Sequence, residues 1–195
     1  ILKTMSYKIR RWNEEDVDPL LDLASTMWQE GAYSYLKFNK QKLKKNFVYL
    51  LHTEKGMGWV AEKEQRIIGA MIVQLNSYIF SDELLCTDLA LYVDPKERKS
   101  IFVPIKLINA ATAWAKEQGA KEFCPASSVA IASDKVEKLY KFMKFETEVQ
   151  RMTLSSFVAG DTFQLDIEGV LSKNITYAGD ATADQRDSTV FNIQK

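Results

Sequence analysis

Three apolar segments lie between Trp59 and Val93 with only short connections between them, and no other feature limits the possible folds so sharply. Trp59 to Lys63 runs through a short turn near Glu64 and Gln65 into the apolar stretch from Ile67 to Leu75. So short a connection joins antiparallel neighbours, and residues 58 to 80 therefore read as a hairpin. Leu84 to Val93 is a further strand, and Pro95 marks its end because proline has no N–H to give to a ladder.

The flanking segments supply the cover such a sheet needs. Tyr7 to Trp12 alternate loosely as an opening strand. Asp18 as N-cap, with Pro19 in the first helical position, opens a helix whose apolar face is Val17, Leu20, Leu21, Ala24, Met27 and Trp28, with Gly31 as its stop. Asn39 starts a second helix. Phe38 and Leu43 fit a hydrophobic staple around that start, and Phe47, Leu50 and Leu51 continue the apolar face. Phe102 to Gln118 is an apolar helix closed by Gly119, and Lys121 to Cys124 a short strand. Ser133 or Asp134 caps a last helix with an inner face of Val136, Leu139, Tyr140 and Met143. Phe145 to Val149 and Arg151 to Leu154 read as closing strands. The order β-α-α-β-β-β-α-β-α-β-β predicts an α/β fold, a mixed sheet flanked by helices, over residues 7–154. Residues 155–195 form a polar, net acidic extension with short apolar alternations. It reads either as one or two strands able to pair with another chain or with the body, or as a partly disordered tail.

Composition removes several functions. Lys plus Arg equals Asp plus Glu at 26 each, which leaves no positive excess for nucleic acid or an anionic membrane. The apolar runs are too short to span a bilayer, and nothing at the start reads as a signal peptide. Cys86 and Cys124 make no disulfide framework, so a cytoplasmic setting is expected, with both as small core residues. The single histidine, His52, falls at a helix end and leaves too little for a histidine metal site or a Ser-His-Asp triad.

Leu91-Tyr-Val-Asp-Pro95-Lys-Glu-Arg98, Gly119-Ala120 at a helix exit, and Leu139-Tyr140 through Phe145 resemble, in order and spacing, stretches of the GCN5-related N-acetyltransferase (GNAT) superfamily. Val60-Ala-Glu62 to Ile68-Gly69 resembles the second and third strands of that family. The resemblance implies a GNAT-like acyl-CoA N-acyltransferase fold and transfer of an acetyl group from acetyl-CoA to a small-molecule or protein amine. It implies a pantetheine arm bonded along Leu91, Tyr92 and Val93. The pyrophosphate would lie on the turn of Arg98, Lys99, Ser100, Ile101, Phe102 and Val103, with Ser133 a further contact. Tyr140 would protonate the departing thiolate, and Asp88, or second Glu62, would take the amine's proton. Trp28, Tyr33 and Tyr35 would shape the acceptor site. Plain packing is the alternative for Tyr140, and a carboxylate bonded to backbone N–H groups the alternative for Asp88.

The chain departs from that family at one telling place. Where the family has Arg-Gly-x-Gly-x-Gly, this chain has Arg98-Lys-Ser-Ile-Phe-Val103. Glycines there let backbone N–H groups approach a phosphate, whereas Ile101 and Val103 are stiff and β-branched. Lys144 likewise replaces the usual glycine before Phe145. Acetyl-CoA binding is therefore expected to be weak or absent. The degenerate motif also resembles small GNAT-like proteins of tailed bacteriophages, some of them similar to virion components. The alternative to an enzyme is thus a catalytically inactive binding or structural protein. Lys37, Lys40, Lys42, Lys44 and Lys45 lie with no acid between Glu30 and Glu54, either as a solvated face or as a contact for an acidic substrate or partner.

Overall fold

The computed structural model describes residues 7–126, 131 and 133–146, and the strands 162–165, 173–176 and 192–193. The chain divides into two compact units, Ile1–Glu146 and Thr147–Lys195, earlier than the boundary read at 154. The first unit carries β1 (Lys8–Arg11), α1 (Val17–Glu30), α2 (Lys40–Leu51), β2 (Gly56–Lys63), β3 (Arg66–Ser77), β4 (Leu84–Val93), α3 (Phe102–Glu117), β5 (Glu122–Cys124) and α4 (Ser133–Phe142). Its sheet has the order β1-β2-β3-β4-β5, antiparallel up to β4 and parallel between β4 and β5.

Each face of the sheet has its own core. Trp12, Val60, Ala70 and Ile72 pack with Val17, Leu20 and Leu21 of α1 and with Phe47 and Leu50 of α2. Trp59, Met71, Val73, Cys86 and Val93 pack on the other side with Leu107, Ile108, Ala111 and Trp114 of α3 and with Tyr140 of α4. The second unit holds a three-stranded antiparallel sheet, β6 (Thr162–Leu165), β7 (Lys173–Thr176) and β8 (Asn192–Ile193), in which Phe163 lies opposite Ile175 and Ile175 opposite Ile193.

Local chemistry explains most of these boundaries. Glu64 and Gln65 both take positive φ, 51° and 63°, which makes the two-residue turn whose twist suits a hairpin. Gly119, at φ 78°, closes α3, and the Ala120 N–H reaches back 3.0 Å to the Ala115 carbonyl. Asn39 caps α2 by accepting the Lys42 N–H at 2.9 Å. His52 is the residue that ends α2, with Nδ1 2.8 Å from the Val48 carbonyl and Nε2 3.2 Å from Glu14.

Four expectations need correction. Helix α1 starts at Val17 rather than after Asp18, because Asn13 caps a short 3-10 turn over Glu14–Asp16 that leads straight into it. Asp16, only 4% exposed, binds the Asn13 N–H and both terminal nitrogens of Arg10, the latter at 2.7 Å each. Pro19 then sits in the third helical position, where an N–H has no partner within the helix in any case. Cys86 is buried as expected, but Cys124, at the end of the short β5, is exposed. Phe145 and Glu146 are not in a strand, and Val149 and Arg151–Leu154 lie outside the described residues. Lys40 and Lys44 bond Asp22 and Asp18 of α1 at 2.8 and 2.7 Å, an exposed tie between α2 and α1 that neither reading of the lysines anticipates.

Lys144 stands out among the loop residues, with φ 66° in the left-handed region. Its N–H bonds the Lys141 carbonyl and the Phe145 N–H bonds the Tyr140 carbonyl, each at 3.0 Å, in the arrangement glycine ordinarily provides after a helix. Phe145 is thereby folded back against Tyr140, ring centroids 5.3 Å apart, and against Phe123 at 5.9 Å. Lys144→Gly relieves that conformation while keeping both hydrogen bonds. It should stabilise the protein by about 1 kcal/mol, a rise of about 2–4 °C in thermal midpoint. An unchanged or lower midpoint by circular dichroism would contradict this account of the turn.

Candidate active site

The site begins where β5 leaves β4. The two strands pair only from Leu85–Glu122 to Thr87–Cys124. One residue later the Asp88 Oδ1 accepts the Ala126 N–H at 2.7 Å, taking a donor that a continued ladder would have used. Among the described residues, nothing pairs with the β5 side of β4 beyond Asp88, an open edge, while the β3 side stays paired to Val93. A bulge falls at the same place: Val73 pairs with Asp88 and Ile72 with Ala90, leaving Leu89 without a partner.

The bulge resets which way the backbone faces. Cys86, Leu91 and Val93 all pack on the α3 side although Cys86 lies five residues before Leu91 and seven before Val93, odd spacings that put residues on opposite faces of a regular strand, so an extra residue must lie between them. The Asp94 N–H bonds the Ile68 carbonyl at 2.8 Å, so the backbone groups of Leu91 and Val93 turn outward to the open edge. Tyr92 corrects one expectation. Its backbone faces β3, and its side chain crosses to the α1 side, so it offers the open edge nothing.

Tyr140 of α4 is 9% exposed, and its hydroxyl is buried without a hydrogen-bond partner. Burial, and secondly the negative charge of Asp88, hold its phenol well above the usual range, so it keeps its proton at neutral pH. Burial likewise pushes the Asp88 carboxyl up to about 6 against the opposing effect of the Ala126 N–H. An acid and a base with separated pKa values thus lie within electrostatic reach of each other. Glu62 is not with them. It accepts from Arg10 Nε at 2.6 Å, five residues further along β2 than the register of Asp88, about 17 Å along the strand direction. There it borders a groove of about 590 Å³ with Asp16, Asp22, Arg66 and Asp94.

A cluster that sequence reasoning missed joins α1 to the end of β4. The Glu30 Oε2 accepts from Tyr92 Oη at 2.8 Å and from Arg98 Nη2 at 2.6 Å. Arg98 Nε donates to the outward carbonyl of Val93 at 2.8 Å, and its guanidinium lies 4.8 Å over the Tyr92 ring. Burial works against the Glu30 charge, but the bonds from Arg98 and Tyr92 outweigh it and hold the carboxyl below its usual range. An acid in the last turn of a helix opposes the dipole, which is the one sequence signal that could have marked Glu30. Beyond Arg98, Lys99 is exposed, Ser100 Oγ accepts the Phe102 N–H at 3.3 Å, Ile101 and Phe102 are exposed, and Val103 is buried. Ser133 is the first residue of α4. In the segment after α1, Trp28 Nε1 donates to the Leu36 carbonyl at 3.0 Å and stacks on Phe38, while Tyr33 is half-buried and Tyr35 exposed.

Neither a family model nor a curated protein matches the sequence, but solved structures match the fold. An aminoglycoside N-acetyltransferase, AAC(6')-Iy, in complex with CoA superposes with a TM-score of 0.64 at 14% identity, over 80% of this chain and 98% of that one. A predicted acetyltransferase with acetyl-CoA from Clostridium acetobutylicum gives 0.62 at 16% identity, over 77% and 96%. An aminoglycoside acetyltransferase from an uncultured soil metagenomic sample, in complex with sisomicin, gives 0.59 at 21% identity, over 78% and 96%. The fold is that of the GCN5-related N-acetyltransferases.

The GNAT fold accounts for the order β-α-α-β-β-β-α-β-α seen in the first unit. Among the described residues no group of His, Cys, Asp and Glu is arranged to hold a metal ion, and no helix is long and apolar enough to cross a membrane. The raised Asp88 pKa has a measurable consequence. Between its ordinary 3.8 and about 6 the folded protein binds the proton more tightly than the unfolded chain, so this contribution is full below about pH 4 and lost as pH rises through 6. Asp88→Asn, which keeps an oxygen for the Ala126 N–H, should be more stable than the parent at pH 8 by at most about 3 kcal/mol, and no more stable at pH 4. Urea unfolding at both pH values tests this, and an advantage confined to pH 4 would contradict it.

Proposed function

We propose that this chain is an N-acetyltransferase that moves an acetyl group from acetyl-CoA to a small-molecule amine. The observation that carries the reading is the buried, unpartnered hydroxyl of Tyr140 beside Asp88 at the inner end of the open β4 edge. A hydroxyl so placed would otherwise leave a hydrogen bond unmade, and a thiolate leaving group would complete it. The outward backbone groups of Leu91 and the Val93 N–H suit an extended pantetheine arm added like a strand.

In this reading the amine gives its proton to Asp88, ionised at neutral pH, directly or through water. The amine nitrogen then attacks the thioester carbon, with an outward β4 N–H polarising the carbonyl. The C–N bond forms, the C–S bond breaks, and the thiolate takes the Tyr140 proton. The products are an amide and a free thiol. Trp28, Tyr33 and Tyr35 would border the amine. A cytoplasmic setting belongs to the same proposal, and Cys86 and Cys124 form no disulfide. One observation favours the alternative of an inactive binding protein: Arg98, the cation expected at the pyrophosphate, is already neutralised by Glu30. In that alternative residues 155–195 would serve self-association.

Thiol release from acetyl-CoA, measured against a panel of amines that includes aminoglycosides, tests the proposal. Tyr140→Phe should lower kcat at least tenfold and leave the KM for acetyl-CoA within a few-fold. An unchanged kcat removes Tyr140 from the mechanism. Absence of thiol release with every amine, together with no calorimetric binding of acetyl-CoA, supports the inactive protein instead.

A further inference from the structure

The turn after β4 differs from the open β4 edge in what it offers a ligand. The edge presents the backbone N–H groups of Leu91 and Val93 and the carbonyl of Leu91. The turn has its cation engaged and part of its backbone taken or without a donor. Arg98 spends Nε on the Val93 carbonyl and Nη2 on Glu30, and lies over Tyr92 on the α1 side of the sheet. The Phe102 N–H is taken by Ser100 Oγ, and Pro104, in the third position of α3, has no N–H. The Ile101 and Phe102 side chains are 58% and 63% exposed, apolar surface where a diphosphate would have to rest. Val103, the second residue of α3 and 2% exposed, is held in the core with Ile68 and Val93, where a stiff β-branched side chain stands in place of a glycine.

We infer that the acyl donor is recognised through its pantetheine arm alone: the substrate class is an acyl-pantetheine or acyl-4'-phosphopantetheine thioester, and the adenosine diphosphate of CoA adds little. The inference rests on the acyltransferase reading above and narrows it. Atoms balance as before: the amine nitrogen gains the acyl group, the C–S bond breaks, and the pantetheine thiol leaves with the proton from Tyr140. Acetyl-CoA is then a donor by virtue of the arm it shares with shorter thioesters. That arm has two sources, a free small thioester or a prosthetic arm on a carrier protein.

The experiment compares kcat/KM for acetyl-CoA, S-acetyl-4'-phosphopantetheine and S-acetylpantetheine with one amine acceptor and the full chain. The expected result is agreement of all three within tenfold. A preference for acetyl-CoA above tenfold overturns the inference and leaves the acyltransferase reading standing, whereas no turnover of any of the three overturns both. Arg98→Ala supplies a second readout, taken as the ratio of kcat/KM values among the donors so that any loss of folded protein cancels. That ratio should stay unchanged, and a selective loss for acetyl-CoA would show that Arg98 grips the diphosphate after all. An acetylated carrier protein distinguishes the sources: use above that of the free phosphopantetheine thioester assigns the arm to a protein, and equal or lower use assigns it to a free thioester.

Discussion

The hydrogen bond from the Ala126 N–H to Asp88 decides what kind of sheet this is. Parallel pairing of β4 and β5 is already short, and a side-chain carboxylate in place of the next backbone acceptor ends it. The bulge at Leu89 falls one residue later and turns Leu91 and Val93 toward the gap. A cleft made this way exposes backbone without exposing a long free strand, because β3 covers the other edge as far as Val93. The same carboxylate is half-buried, so the device that parts the strands also supplies a group with a pKa of about 6. Structure and chemistry share one residue there.

Electrostatics elsewhere serves assembly. Arg10 gathers Asp16 and Glu62, and Lys63 and Arg66 gather Asp94 and Glu97, so the hairpin end of the sheet is fastened to the segments on either side of it. Such pairs set geometry more than they add stability, because most of them stay in reach of water. Glu30 belongs to this group by its contacts, yet it holds the cation nearest the expected phosphate turn. Neutralising Arg98 from within, and filling the turn with Ile101, Phe102 and Val103, shifts recognition from the nucleotide end of a donor toward the arm.

Much of the fold was legible in the sequence because local rules and packing agree there. The three central strands, the turn at Glu64 and Gln65, the Asn39 cap and the Gly119 stop each follow from alternation or from one residue's conformational preference. The start of α1 was misread because Asp16 and Asp18 are equally good caps by type. The bonds of Asp16 to Arg10 and to the Asn13 N–H separate them. The bulge at Leu89 was invisible, since both alternations around it are apolar. Tyr140 and Asp88 were singled out through the family resemblance, and the Asp88 charge does act on the Tyr140 phenol, whereas Glu62, a carboxylate like Asp88, lies toward the other end of the sheet. Glu30 was missed because its partners lie more than sixty residues away, at Tyr92 and Arg98.

Amide hydrogen exchange with and without acetyl-CoA tests the open edge most directly. The outward N–H groups of Leu91 and Val93 have no strand partner among the described residues, and an arm lying along β4 would give them one. The account predicts new protection over residues 88–93, with the exchange of α1 and α2 little changed. No change in residues 88–93 under saturating acetyl-CoA, or protection confined to the turn at 98–103, would contradict it.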